Sequence, residues 1–488
     1  MTEKQMKIFD LYPCFLALLL LYCLWFLTRR LFLDGRNKKL PPSPPKLPII
    51  GNLHQLGRLP HRSLTYMSRK YGPLMSLQLG SRSALVISSA AVAKEVVKNH
   101  DISISDIPVV TAAKRIFYGG KGLIFYGENW KQLRSMFVNH LLHKSMIKCF
   151  KSIRDAEASR LLEHIDKCSS TSAPVNWSVR FKHMSIELIC NSAFGTKFLG
   201  EEETKEILGM IDITLEFLST FTVGEFIPRL SWMNRWNGFD ATLDKLVKEK
   251  EELLGKRTEE YIETSCGDCN FVDILIGLGL HIEDIQMLKA IIQDILGTGT
   301  DPPSTTLDWA MTELIRNPNS MKKLQEEVTE IMKGKQEMTD NELEKMQYLK
   351  AVIKETLRLH PPVPVKPRET NEDVHLMGYD IPAGTMVMFN LSAICRDPAC
   401  WDQPETFSPD RFLNSSINYK GLDFQFIPFG VGRRICPGMF FAMVSIEHVL
   451  ANLVHKFEWR LPDGAQGKDL DVAEKPGFTI GRKKILLL

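Results

Sequence analysis

The 488 residues contain no glycine-rich fingerprint for a flavin or nicotinamide dinucleotide, so the chain carries no binding unit of that kind. Charge of one sign is lacking too. Lys and Arg number 61 against 58 Asp and Glu, a net charge of +3. That balance excludes a global nucleic-acid footprint and leaves only local basic patches. The ten cysteines show none of the dense spacing of a disulfide scaffold. Cys266 and Cys269 form a lone CxxC with no second pair nearby, which favours a loop over zinc or thiol-redox chemistry. No internal repeat and no second domain boundary interrupts the chain.

One uncharged stretch stands out. Residues 11–27 are rich in Leu, Phe, Tyr and Trp, at the short end of the ~17–25 residues that cross a bilayer. Arg29, Arg30, Arg36, Lys38 and Lys39 follow, whereas Glu3, Lys4, Lys7 and Asp10 nearly cancel. The flanks predict an anchor over residues 1–28, with everything after it on the cytoplasmic side. Residues 26–30 offer no small-residue cleavage site, so the anchor is expected to stay. The sequons at Asn176, Asn390 and Asn414 are then expected to be unglycosylated. Residues 29–50 form a basic, proline-rich hinge containing PPSPPKLP at 41–48, a stiff and extended spacer. The remaining unit is 51–488. Alternation at 74–79 and 84–87 predicts a strand pair, and helical spacing dominates 90–331.

The densest chemistry lies in PFGVGRRICPG at 428–438. Cys436 sits between Gly432 and Gly438, after Arg433 and Arg434, and just before the helical run 439–457. A helix starting there turns its free N–H groups and positive dipole end toward the sulfur. Such donors stabilise a thiolate and tune a metal bound to it. Arg434 supplies charge for the anionic edge of a cofactor. Residues 126–134 predict the start of another helix. Trp130 and Arg134, four apart on it, share a face and can meet one buried anion. In a helix predicted at 346–360, Glu355 and Arg358 are three apart and can pair.

The pattern Phe-x-x-Gly-x-Arg-x-Cys-x-Gly resembles the haem-binding signature of the cytochrome P450 family, and its wording resembles the plant microsomal branch. The resemblance implies a mainly α fold with small β-sheets and an N-terminal membrane anchor, the haem lying buried between a distal helix and the cysteine loop. It implies haem b with Cys436 as axial thiolate, which pushes electron density toward O–O cleavage. Carried to this chain, it makes Trp130, Arg134, Arg368 and Arg434 propionate contacts, with Phe429 and Gly438 among the cofactor-binding residues. Glu355 and Arg358, with Arg411 from Pro-Asp-Arg-Phe at 409–412, lock the core beside the haem loop. The implied activity is that of a monooxygenase of the endoplasmic reticulum membrane, its catalytic domain cytoplasmic. An NADPH–cytochrome reductase feeds it single electrons, with cytochrome b5 as a further partner, and no nucleic acid is involved. Arg433 and nearby lysines are expected to face the acidic reductase.

The sequence departs from the family at two places. The distal helix usually carries Ala-Gly-x-Asp-Thr-Thr or Ser, and here residues 298–303 read TGTDPP. Asp301 is kept, but the threonine after it is Pro302. Proline relays no proton. Pro302 and Pro303 also remove the N–H groups that would bond Thr298 and Gly299, so a local helix break is expected. The expected catalytic set is Asp301, with Thr298, Thr300 and Ser304 as substitute hydroxyls. The second departure is Lys366, in a normally apolar segment, and it is expected to reach solvent. The other expected pocket walls are 107–124, 217–226, 291–300 and 478–480. They are mostly apolar and suit a small lipophilic terpenoid, alkaloid or phenylpropanoid. The product is an alcohol or, with a weak proton relay, an oxidatively cyclised or coupled compound. Two other readings compete. Loss of the distal threonine points toward a reductase-independent haem-thiolate isomerase or dehydratase. A haem-binding protein without turnover is the third, and Asp301 with the intact cofactor shell stands against it.

Overall fold

The computed structural model describes residues 17, 20–22, 39–124, 130–171, 173–195, 200–220, 222–264, 270–278, 285–335 and 337–488. Cys266, Cys269 and residues 126–129 lie outside them, as does nearly all of the run 11–27. Ala17 and residues 20–22 of that run are helical. Among the described residues, no helix is long and apolar enough to cross a membrane.

Helices form most of the structure. Those that build the site are α1 (Trp130–Met136), α2 (Trp177–Phe194), α3 (Glu201–Ser219), α4 (Ile285–Arg316), α5 (Pro318–Met332), α6 (Gln347–Leu359) and α7 (Met439–Lys456). Helix α4 packs most extensively on α2 and also meets α6 and α7. Its two halves belong to different cores. Leu307, Ala310, Met311 and Leu314 pack with Trp177 and Phe181 of α2, Val352 of α6 and Leu450 of α7. Ile291, Ile292 and Leu296 pack with Ile116, Phe117, Leu133 and Ile189. Helix α6 is buried along nearly its whole length. It stops where His360 N bonds the Thr356 carbonyl at 2.7 Å, because Pro361 and Pro362 each disfavour helical backbone in the residue before them.

The strand pair expected from alternation is present as β1 (Leu74–Leu79) and β2 (Arg82–Ile87). With β3 (Val365–Glu369) and the strand Met386–Asn390 it makes a sheet in which the last of these lies between β2 and β3. The turn at Gly80 needs glycine twice over. Its φ is +59°, and a Cβ there would lie 2.2 Å from the Phe226 carbonyl oxygen. In β3, Lys366 pairs with Phe389 and Arg368 with Val387. Being two apart, Lys366 and Arg368 share one face of the strand.

Candidate active site

The cysteine loop is shaped by its own backbone. Gly430 and Gly432 have φ of +77° and +65°. Ile435 N bonds Gly432 O at 3.0 Å and Cys436 N bonds Phe429 O at 2.9 Å. Gly438 is the residue that caps α7, so Cys436 stands at the mouth of that helix. Phe429 packs edge-on against Tyr419, with ring centroids 5.5 Å apart, and ties the loop to the larger core.

Four cations gather around this loop. Arg134 Nη2 donates to Ile435 O at 2.5 Å. Arg434 Nε donates to Ser105 O at 2.8 Å, and its guanidinium lies 4.1 Å from the Trp130 ring centre. Arg368 donates to Val431 O and pairs with Asp101 at 2.9 Å. Lys366 is the fourth, and the expectation that it reaches solvent is wrong. Its Nζ donates to Phe429 O at 3.3 Å and Arg434 O at 3.0 Å, because β3 aims it, like Arg368, at the loop. Burial pushes Lys366 down to about 8, against the pull of the Cys436 sulfur. Burial lowers Arg134 and Arg368 as well. Arg433 pairs with Asp101 at 3.1 Å and stays partly exposed.

This donor set fits haem. It offers one sulfur for the iron and four cations, Arg368 and Arg434 of them buried, for two propionates, and the buried Arg368 Nε has no hydrogen-bond partner in the structure. Such crowding of like charges is costly until anions join it.

Trp130, four residues before Arg134, is buried, and its Nε1 donates to Leu123 O at 2.9 Å. Leu123 and Ile124 form a junction. Their N–H groups donate to Asp294 Oδ2 of α4 at 2.6 and 3.2 Å, and Arg434 Nη1 reaches Ile124 O at 3.5 Å. Asp294 escaped the sequence reading. The signal was a single carboxylate, beside one glutamine, within the otherwise apolar AIIQDIL at 290–296.

On α4 the expected break at Pro302 and Pro303 does not occur. The helix runs without interruption from Ile285 to Arg316. Proline's own φ is helical, and both halves of α4 are clamped. Asp294 holds the first half to 123–124. Trp309 of the second stacks on His360, ring centroids 3.9 Å apart, and donates to Ile480 O at 3.0 Å. Asp301 is buried. It accepts from Thr479 Oγ1 and pairs with Lys182 of α2 at 3.1 Å. Lys182 also holds Asp212 of α3 at 2.6 Å. Burial raises the Asp301 pKa and Lys182 opposes that rise. The three hydroxyls all donate to main chain: Thr298 to Asp294 O, Thr300 to Leu296 O and Ser304 to Asp301 O. Thr298 is one turn from Pro302 and shares its face. Thr300 and Ser304 lie roughly 160–240° away around the helix axis.

The lock beside the loop is assembled. Arg358 forks onto Glu355 at 2.7 and 2.9 Å, both side chains fully buried, and Arg411 reaches the same carboxylate at 3.1 Å.

The sequence model of the cytochrome P450 family matches residues 41–488. The chain is similar to norfluorocurarine oxidase of a Strychnos species, 42% identical over 500 residues, covering 98% of this chain and 96% of that one. It is also similar to tabersonine/lochnericine 19-hydroxylase of Catharanthus roseus, 44% identical, covering 96% and 94%. A third relative is (+)-menthofuran synthase of Mentha piperita, 42% identical, covering 96% of each chain. Among solved structures, a zebrafish cytochrome P450 with progesterone superposes with a TM-score of 0.75 at 24% identity, over 88% of this chain and 99% of that one.

Proposed function

Because this chain belongs to the cytochrome P450 family, oxidoreductases of the monooxygenase type with cysteine-ligated haem b, we propose that it oxidises a small lipophilic alkaloid or terpenoid of plant specialised metabolism. The observation that carries this reading is Cys436 at the mouth of α7, ringed by Arg134, Lys366, Arg368 and Arg434. Bound there, haem supplies the oxygen chemistry, with the thiolate as electron donor. The names of the relatives, an oxidase, a tabersonine/lochnericine hydroxylase and a menthofuran synthase, support the substrate class.

The chain's own residues divide the remaining work. The arginines orient the cofactor's carboxylates. Asp301 holds a proton behind the distal face. Lys182 links it to the half-exposed Asp212, which joins the buried acid to solvent. Thr298 is the hydroxyl placed to pass that proton on, since Pro302 has none. The scheme includes single electrons from an NADPH–cytochrome reductase, assisted by cytochrome b5. It also includes an anchor at 1–28, a hinge at 29–50 and a catalytic domain at 51–488 facing the cytoplasm from the endoplasmic reticulum membrane.

Pro302 favours one alternative, a rearrangement catalysed without reductase or dioxygen. Assaying product from alkaloid and terpenoid panels with and without reductase separates the two. Cys436→Ser is the control for the ligand. A serine oxygen is a harder, far less acidic donor, so the thiolate-type Soret band of the reduced, carbon-monoxide-treated protein should vanish with activity. Retention of that band would assign the ligand elsewhere.

A further inference from the structure

Pro303 takes an N–H away from α4, and the carbonyl that loses its regular helix donor is that of Gly299. In a continuous helix this carbonyl points along the axis toward residue 303. Gly299 lies hard against α2, since a Cβ there would sit 2.7 Å from Ile189 Cδ1. One turn before Ile189, on the same face of α2, stands Ser185. It is 2% exposed, and its Oγ has no hydrogen-bond partner in the structure. Other buried helix hydroxyls behave differently. Ser192 of α2, Thr300 of α4 and Ser445 of α7 each donate to the carbonyl four residues back, at 2.7, 2.7 and 2.8 Å. Ser185 does not turn back on its own helix.

The unused donor and the freed acceptor meet at one place. Ser185, Gly299 and Pro303 line the same small gap, with Met184, Leu307 and Ala442 around them. It has room for roughly one water. Apart from Ser445, whose hydroxyl is already used, the rest of the lining is apolar, so no other side chain there bridges the two groups. A buried carbonyl left without a donor is costly. Water accepts from a hydroxyl and donates to a carbonyl at once, and it is the polar group that a gap of this size admits. The gap lies between the distal helix and α7, the helix that starts at the cysteine loop.

We infer that Ser185 Oγ and the Gly299 carbonyl bind one water molecule, which stands in for the N–H that Pro303 lacks and holds the distal helix on course through its two prolines. The test uses the full-length holoenzyme. Its crystal structure should show a water within hydrogen-bond reach of both atoms, and a structure in which no water is shared by them would overturn the inference. A mutant cycle supplies the energetic arm. Ser185→Val removes the hydroxyl and fills the space of the water. Pro303→Ala gives the Gly299 carbonyl an N–H within its own helix. Each protein is read as the temperature at which the thiolate-type carbon-monoxide spectrum is half lost. Ser185→Val alone should lower that temperature by about 1–3 °C, the effect of one unsatisfied buried carbonyl in a chain of this length. In the Pro303→Ala background the same substitution should lower it by clearly less. An equal loss in both backgrounds would make the effect one of packing and overturn the inference. If Ser185→Val takes up no haem, the crystal structure decides alone. No readout depends on turnover, so absence of monooxygenase activity would remove the function proposed above and leave this site to be decided by its own results.

Discussion

At the scale of single residues, Arg358 donates to Glu355 and to the carbonyls of Cys395, Pro404 and Thr406, while Glu355 also takes Arg411 and the Ser408 N–H. Arg358→Ala removes all four of its attachments and leaves the buried Glu355 carboxylate only Arg411 and the Ser408 N–H. The expected loss is about 3–5 kcal/mol, seen as a lower melting temperature and a lower haem-to-protein absorbance ratio. Normal values for both would mean the pair is dispensable. Lys366→Leu tests a different effect. Phe429 O keeps Cys436 N as donor, and the Lys366 contact with Arg434 O is lost, at about 1.5–3 kcal/mol for a hydrogen bond from a charged group. A positive charge beside the cofactor favours its reduced state, so the reduction midpoint should also become more negative. A redox titration that leaves the midpoint unmoved would separate Lys366 from the cofactor. These residues differ in how visible they were in the sequence. Glu355 and Arg358 are helix neighbours, and their spacing carries the pairing. Lys366 meets acceptors 63 and 68 residues away, and Asp294 meets donors 170 and 171 residues away. No local pattern encodes those distances.

At the scale of elements, α4 shows why local rules misjudged one segment and served the others. Strands β1 and β2 and helices α6 and α7 form where their periodicity places them. In α4 two prolines argued for a break, at about 3 kcal/mol each. The helix persists because its halves are fixed in separate cores. Pro303 lines a small gap with Leu188, Leu307 and Phe441. Ser304 and Thr306 bond back to the carbonyls of Asp301 and Pro302 and tighten the turn. Pro302→Thr restores both a hydroxyl and an N–H on the Thr298 face. If the native reaction is a hydroxylation limited by the relay, NADPH consumption should couple better to product and release less peroxide. A relay group contributes roughly 10²–10⁴-fold. The expected outcome is a shift of products toward simple hydroxylation, measured as product ratio and peroxide per NADPH. No change in either quantity would make Thr298 a sufficient relay by itself.

At the scale of the whole molecule, exposed apolar side chains collect at one end of the sheet. The β1–β2 turn is bonded on one side by the segment that carries Ile49, since Gly80 N donates to Ile50 O. On the other side Ser81 N donates to Phe226 O, a few residues before Trp232 and the short helix Met233–Trp236 that it caps. Ile49 is 65% exposed and Trp236 86%. The proline-rich hinge runs along the same sheet away from that turn, with Ser76 N on Pro42 O and Asp380 N on Lys39 O. An exposed apolar surface of this kind suits a lipid face, with indole rings at the headgroup level. Removing residues 1–28 should therefore loosen the protein from membranes without freeing it. In flotation with neutral phospholipid vesicles, a substantial fraction should stay bound at high salt, because the contact is apolar and not screened. Adding Trp232→Ser and Trp236→Ser to the truncation should release that fraction. The thiolate-type carbon-monoxide spectrum should remain intact, since both indoles lie outside the cores that hold the cysteine loop. A truncated protein that is fully soluble before those two substitutions would confine attachment to residues 1–28.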